Sequence, residues 1–441
     1  MVILSESTEP ITKEGYKLFH DGILSFSKAE QVGMRVDTEY CKKANEELTE
    51  EIENLRDELM EMKLIKHWKH YFGESFNLNS NHQLGKLLYD IRGIEPVKTT
   101  PSGKGSTDEE SLSELDIPAL DKLLEMRKLL KIRDTYLEGF AREQVRGRIH
   151  PIFNLHLAVT FRSSAQAPNF QNIPKRDEKA KEITRKAIYP RKGNQLLSVD
   201  YSGIEVRIAA AYHQDPNMIK YIKEPESDMH GDMACQIFFL DEMDKSNPKL
   251  KRLRSAAKNG FTFPQFYGDY YVNCAEYLGV KWGELPKKRF KPGQGIKVTE
   301  DKHLSDWLME NGVKSYQAFE RHIEEIEDDF WNRRFRDYKQ WKDDMWNKYR
   351  EKGYLDMKTG FRYSGTMRRN KVLNAPIQGS AFHCLLWSFI RLTEISEEED
   401  WNTKLVGQIH DEIMLDVDPD ELEHVKKTTR RVMCEDLKEH W

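Results

Sequence analysis

The chain is poor in cysteine. Its 441 residues include five (Cys41, Cys235, Cys274, Cys384 and Cys434), scattered and without a CxxC pair. That argues against a disulfide scaffold or a zinc site and fits a reducing, intracellular compartment. No apolar run approaches the roughly 20 residues of a membrane span, so no membrane partner is expected. The opening "MVILSESTEP" lacks the basic start and long apolar core of a signal peptide. An excess of positive charge is also missing. With a net charge of −5, a nucleic-acid partner has to be argued from local basic clusters. No internal repeat is visible. What remains is a rather polar chain, 38% hydrophobic and 32% charged, long enough for two or three domains with sizeable cores.

Ile52, Leu55, Leu59 and Met62 recur at helical spacing and predict one long helix over 37–62, with Asp37 able to cap it. A loop rich in Pro, Gly and Ser follows at "TTPSGKGSTDEESLSELD", with a helix start at Thr107 or Ser111. The next helix, "LLEMRKLLKIRDTYLEGF", carries Arg127, Lys128, Lys131 and Arg133. A helical hairpin with a flexible tip bearing Lys104 could grip a phosphate backbone; these residues alone read equally well as a plain bundle. Between about 149 and 210 the texture changes to short β-like runs. The clearest is a strand over 196–199, then Asp200, then a helix for which Ser202 and Glu205 have capping-box spacing. From about 213 to 352 the chain reads as helical, and Phe335, Tyr338, Trp341, Met345 and Tyr349 form a stripe that suits a core face. Within it "PKKRFKPGQGIK", 286–297, is a basic, broken loop, either a nucleic-acid contact or a solvated insertion.

The stretch "LVGQIHDEIMLDV", 405–417, raises a sharper question. Two apolar runs read as the strands of a half-buried hairpin, yet the turn region is His410-Asp411-Glu412, where two adjacent carboxylates repel. A solvated turn is one answer. The other is a metal site. If the strand ending in Asp200 lies in the same sheet, Asp200 and Asp411 could share two divalent cations about 4 Å apart, an arrangement suited to in-line phosphoryl transfer. In "RLRSAAKNGFTFPQFYGDYY", Arg254 and Lys258 are four apart and share a helical face that could hold a triphosphate. Phe263 and Tyr267, again four apart, could stack on a base; an amphipathic helix with one basic face is the plain alternative. "FRSSAQAPNFQNIPKR" brings Arg162 with several amides, and "NAPIQGSA" brings Asn374 and Gln378. Such groups suit the acceptors that minor-groove edges share.

In this order, RxSS…PNxQNIP, DYSxxExR, RxxxK…YG, NxPxQG and HDE, the chain resembles DNA polymerase family A, the family of bacterial DNA polymerase I, over nearly its whole length. The resemblance implies an α+β right-hand fold with an antiparallel palm sheet, helical fingers and a helical thumb. It divides the chain into an N-terminal segment packing on the palm (1–37), thumb (38–145), palm (146–212), fingers (213–364) and palm again (365–441). It implies a template-directed DNA polymerase using primer-template DNA, dNTPs and two Mg2+ ions held by Asp200, Asp411 and Tyr201, with Glu412 in support. Arg254, Lys258 and His230 (in "DMHGDMA") would bind the triphosphate, Lys258 also protonating the leaving pyrophosphate. Phe263 and Tyr267 would contact the nucleotide and the templating position. Arg162, Asn374 and Gln378 would check minor-groove edges, with His410 near the primer terminus. Glu205 would exclude the 2′-hydroxyl, which also separates the chain from related single-subunit RNA polymerases. Lys104, Lys131 and Arg133 would touch DNA from the thumb.

Four features depart from the family pattern. Phe263 lies five residues after Lys258 rather than four, and Pro264 opposes the carbonyl of Gly260, so a kink or π-bulge is expected between Gly260 and Pro264. In a regular helix Thr262 would take the place given to Phe263. Gly203 stands where bacterial members have glutamine, removing one side chain near the nucleotide. The segment before Asp37 is too short for exonuclease domains, so neither nuclease activity is expected. The chain also stops at "VMCEDLKEHW", before the family's final palm strand. Either the chain is truncated there or another polypeptide completes the fold, in which case a separate exonuclease or a chain completing the C-terminus would be a partner. "KNGFTFPQFYGDYY" is similar to phage members, which would place the protein in a host cytoplasm. Two rivals stand beside this reading: a template-dependent RNA polymerase, which Glu205 opposes, and a silent DNA-binding subunit, which has no use for Asp200, Asp411 and Lys258 together.

Overall fold

A computed structural model of the chain describes residues 5–440 apart from 98, 101, 116, 161, 174–176, 288, 289 and 300, and apart from the side chain of residue 110. Lys288 and Arg289 of the basic loop therefore lie outside the described residues. The described residues fall into two compact units, one of 5–16, 159–162 and 202–383, the other of 17–158, 163–201 and 384–440. No helix among them is long and apolar enough to cross a membrane.

In the second unit the expected long helix spans Thr38–Glu61, and the Asp37 carboxylate accepts the Tyr40 N–H at 2.9 Å. Cys41, Ala44, Leu48, Ile52 and Leu59 bury one face of it against the helix Pro118–Leu130. Full burial of each such leucine contributes about 1.5–3 kcal/mol. The next helix start differs from expectation. Asp108, not Thr107 or Ser111, caps Glu109–Ser113 by accepting the Ser111 N–H at 2.8 Å. A carboxylate is the stronger acceptor there and complements the helix dipole. The tip carrying Lys104 is a closed turn rather than a loose loop. Thr100 N–H donates to the Lys104 carbonyl at 2.7 Å, and Gly103 N–H donates to the Thr100 carbonyl at 2.8 Å. Pro118–Leu130 runs on through a π turn, Lys131–Leu137, into Glu138–Glu143.

The same unit holds an antiparallel sheet in the order Lys404–Ile409, Glu412–Val417, Gln195–Asp200. All six residues of the middle strand are buried, so the hairpin is enclosed on both faces, not half-buried as its sequence suggested. Its turn is only His410-Asp411, with His410 at φ 53°, a conformation that His, Asn and Asp tolerate better than most residues. Part of the N-terminal helix Lys13–Val32 also packs here: Phe26 lies with its ring centroid 5.0 Å from both Phe153 and Phe389.

The first unit is mainly helical, with a small sheet of Ser7–Pro10, Phe361–Ser364 and Tyr354–Asp356. The aromatic stripe is a core face as expected, with Phe335, Tyr338 and Tyr349 buried along the helix Arg336–Lys352. Lys342 is buried among them, its ammonium 3.8 Å above the Trp331 ring; burial pushes its pKa down to about 8. His213 stacks on Tyr338 with ring centroids 4.1 Å apart, and its Nδ1 accepts the Asp215 N–H at 2.9 Å. That bond requires an unprotonated Nδ1, and burial holds the ring down to about 4.

The sign of the consequence follows by linkage. Between about pH 6.5 and the folded value of about 4, the unfolded chain takes up a proton that folded His213 refuses, so stability falls as the pH falls through that window. His213→Phe should remove this component, on the order of 3 kcal/mol at its fullest. Urea denaturation at pH 7.5 and at pH 5 would read it as a smaller acid-induced loss in the variant than in the wild type.

Candidate active site

Strand register brings the carboxylates together. Asp200 pairs directly with Glu412 across the sheet, and the Tyr201 N–H donates to the Asp411 carbonyl at 3.3 Å. Asp200, Tyr201, Asp411 and Glu412 therefore meet at one end of three strands. Their surroundings differ. Glu412 is 4% exposed; the Ser198 hydroxyl donates to one of its oxygens, and an Arg185 guanidinium nitrogen lies 3.7 Å from the other. Asp200 is exposed and Asp411 half-exposed. Tyr201 turns its ring inward, its hydroxyl 2.8 Å from Ser388 Oγ and donating to the Met433 carbonyl at 3.2 Å, which leaves only its main chain at the sheet end.

The hairpin tip is braced from below by amides. Gln408 donates to the His410 carbonyl and accepts from Gln171 Nε2 at 2.5 Å and from Ser163 Oγ at 2.7 Å. The polar loop that sequence reading associated with base edges thus also supports the hairpin. His410 itself is exposed.

The donor set fits a hard divalent cation. Among the described residues no group of three or more His, Cys, Asp or Glu side chains is placed to hold a metal ion. Two aspartates at a sheet end offer the oxygen donors that hard divalent cations take.

In the first unit the cationic groups gather around a helix in three pieces: Pro248–Ala257, a π turn Lys258–Thr262, and Phe263–Phe266. The expected widening is there. Phe263 N–H donates to the Lys258 carbonyl, five residues back, and Pro264, having no N–H, leaves the ladder without a lost bond. The extra residue is thereby absorbed, and Lys258 Nζ comes 5.1 Å from the centre of the Phe263 ring. Thr262 is fully buried and does not take that place. His230 meets the Phe263 ring edge-on at 5.5 Å. Burial first, then the charges of Arg254 and Lys258, hold His230 down to about 4, so at neutral pH it is an uncharged hydrogen-bonding group.

Arg254 is held by a residue that sequence reasoning passed over. Asp228 takes both arms of the guanidinium, at 2.7 and 2.8 Å, with Lys245 3.3 Å away. Burial raises the Asp228 carboxyl, but the hydrogen bonds and charge of Arg254 prevail and leave it at about 2. Its position two residues before His230 in "DMHGDMA" was the available signal.

Glu205 does not cap its helix. The helix is Ile204–His213, and its N-cap is Gly203 at φ 61°, with no side-chain cap bond. An added Cβ at Gly203 would meet nothing within 4 Å, so its left-handed backbone, not space, is what favours glycine. Glu205 instead accepts from an Arg162 guanidinium N–H and from the Tyr267 hydroxyl, the latter at 2.8 Å. Three candidates from distant parts of the sequence thus form one cluster. Asn374 and Gln378 are half-exposed, four apart on the helix Arg369–Glu398. Lys104 and Lys131 are exposed, while Arg133 is engaged by Asp134 at 2.6 Å and Thr49 at 3.3 Å.

The fold is of the polymerase-domain class. It is similar to the POL domain of Pol1 from M. smegmatis, solved in complex with DNA primer-template and dNTP, with a TM-score of 0.72 and 24% identity over 94% of this chain and 66% of that one. The model of DNA polymerase family A matches residues 38–440, and the chain belongs to that family. Among curated relatives, DNA polymerase I of Lactococcus lactis subsp. lactis is 29% identical over 93% of this chain and 42% of its own length. DNA polymerase I of Streptococcus pneumoniae serotype 4 is 30% identical over 97% and 46% respectively, so the chain spans less than half of these relatives.

The π turn depends on a close approach that can be tested. A Cβ on Gly260 would lie 2.4 Å from Tyr277 Cδ1 and 2.8 Å from Leu278 Cδ2. Gly260→Ala should therefore destabilise the protein by about 1–3 kcal/mol, read as a lower urea midpoint.

Proposed function

We propose that the chain is a template-directed DNA polymerase, extending a primer 3′ end with dNTPs by phosphoryl transfer assisted by two Mg2+ ions. The observation that carries this reading is the pairing of Asp200 with Glu412 beside Asp411 at one end of an antiparallel sheet. Three carboxylates are placed together there, and two of them face outward. On this reading 146–212 and 365–441 form the palm, 213–364 the fingers and 38–145 the thumb, with 1–37 packing on the palm. Membership of the family supports the assignment.

Asp200, Asp411 and the main chain of Tyr201 would hold the cations. When bound, the ions activate the primer hydroxyl and neutralise charge on the leaving group. Glu412, kept in place by Ser198 and Arg185, fixes the strand end beside them. Arg254 and Lys258 take the triphosphate, and neutral His230 donates a hydrogen bond to it. Lys258 then gives a proton to the departing pyrophosphate. Arg254 reaches the phosphates from its pairing with Asp228, which aligns the guanidinium beforehand. Phe263 and Tyr267 face the base and template positions. Glu205, clamped by Arg162 and Tyr267, is rigid enough to refuse a 2′-hydroxyl. Arg162, Asn374 and Gln378 read minor-groove acceptors shared by all correct pairs. His410 lies near the primer terminus, and Lys104, Lys131 and Arg133 contact the duplex backbone.

Primer extension in Mg2+ tests the metal role. Asp200→Ala and Asp411→Ala should each abolish incorporation while largely preserving primer-template affinity; near-normal extension by either would remove the two-metal reading. Glu205→Ala should raise the use of ribonucleotides relative to deoxyribonucleotides, read as the ratio of their kcat/KM values. An unchanged ratio would leave Glu205 with a structural role only.

A further inference from the structure

The extra residue between Lys258 and Tyr267 creates a problem that the π turn solves only in part. The π turn absorbs that residue and restores Lys258 and Phe263 to one side, but a widened turn does not by itself hold the segment after it in one rotation. The short helix Phe263–Phe266 and Tyr267 need something to fix their rotation. Phe266 packs among Phe330, Phe335 and Tyr338 at centroid distances of 5.6, 6.1 and 5.8 Å. Such contacts are apolar and set depth better than direction.

The directional contacts come from Gln265, which is fully buried. Its Nε2 donates to the Glu327 carboxylate and to Cys274 Sγ, the latter at 3.5 Å, and its Oε1 accepts the Trp331 indole N–H at 2.7 Å. These partners stand on two separate helices: Cys274 on Tyr271–Ala275, and Glu327 and Trp331, four apart, on Tyr316–Asp329 and the π turn Phe330–Arg334 that continues it. Trp331 is pinned in turn by the Lys342 ammonium over its ring. Both ends of a buried amide are therefore satisfied at once, which only one rotation of the helix permits. An apolar side chain would fill the same space without that constraint. Two residues further on, the Tyr267 hydroxyl donates to Glu205.

We propose that Gln265 is a positioning residue for nucleotide selection: held between Glu327 and Trp331, it sets the rotation of the segment that presents Tyr267 to Glu205. The inference rests on the reading of Glu205 as the sugar gate. Loss of the bracket lets Tyr267 leave Glu205, and the carboxylate then swings on Arg162 alone.

The test compares the ratio of kcat/KM for ribo- and deoxyribonucleotides in Gln265→Leu, Trp331→Phe and Glu205→Ala, with Tyr267→Phe alone and combined with Gln265→Leu. Trp331→Phe removes the N–H donor together with part of the indole ring while leaving Gln265 in place, and it serves if Gln265→Leu does not fold. Gln265→Leu and Trp331→Phe should each relax sugar discrimination roughly ten-fold, the worth of one buried hydrogen bond. Gln265→Leu should add nothing to Tyr267→Phe. A merely structural role would lower the melting temperature and the active fraction but leave the ratio unchanged. The proposal is overturned if Glu205→Ala relaxes discrimination while both bracket variants stay within about two-fold of wild type, a difference far below one hydrogen bond. If Glu205→Ala itself leaves the ratio unchanged, the gate reading falls first and this inference falls with it.

Discussion

The candidate site depends on one electrostatic constraint: three carboxylates must share the end of a sheet. Like charges placed directly opposite on neighbouring strands destabilise the pair. Asp200 and Glu412 are such a pair, with Asp411 next in the chain. The structure resolves the conflict by treating them unequally. Glu412 is taken inside and compensated by Ser198 and Arg185, at the cost of committing the helix Glu178–Lys186 to that sheet end. Asp200 is exposed and Asp411 half-exposed, where the high dielectric of water weakens the repulsion. Compensating none would have strained the hairpin.

A second constraint is helical phase. Lys258 and Phe263 can act on one ligand only if the inserted residue is absorbed, and the π turn does this between Gly260, pressed under Tyr277, and Pro264, which needs no hydrogen bond. Both residues look like defects in a helix. Together they make the widened turn cheaper than a regular one, because a side chain at 260 and an N–H at 264 would each oppose it.

What could be read from the sequence was what local spacing encodes. The helix Thr38–Glu61 and its Asp37 cap, the strand before Asp200, the hairpin, the aromatic stripe and the widened turn all follow from residues within a few positions of one another. What could not be read depends on residues distant in the chain. Asp228 meets Arg254 across 26 residues, Gln171 meets Gln408 across 237, and Gln265 meets Glu327 across 62. Lys342 was hidden for a related reason. A lysine in an amphipathic helix is ordinarily a surface residue, and only the placement of Trp331 beneath it makes burial tolerable.

Glu205 shows how a local rule can fail when one neighbouring residue shifts the helix start. Its spacing from Ser202 has the form of a capping box, and had the helix begun there the carboxylate would have been spent on a backbone N–H. Gly203 moves the start by one residue. In its left-handed conformation it becomes the N-cap itself, with no side chain to contribute, and Glu205 falls one position too early to close the box. The carboxylate is released from the backbone and given to Arg162 and Tyr267. The glycine that seemed only to remove a side chain from the nucleotide site thus acts through the backbone. By withholding the cap, it frees Glu205 for its cluster with Arg162 and Tyr267.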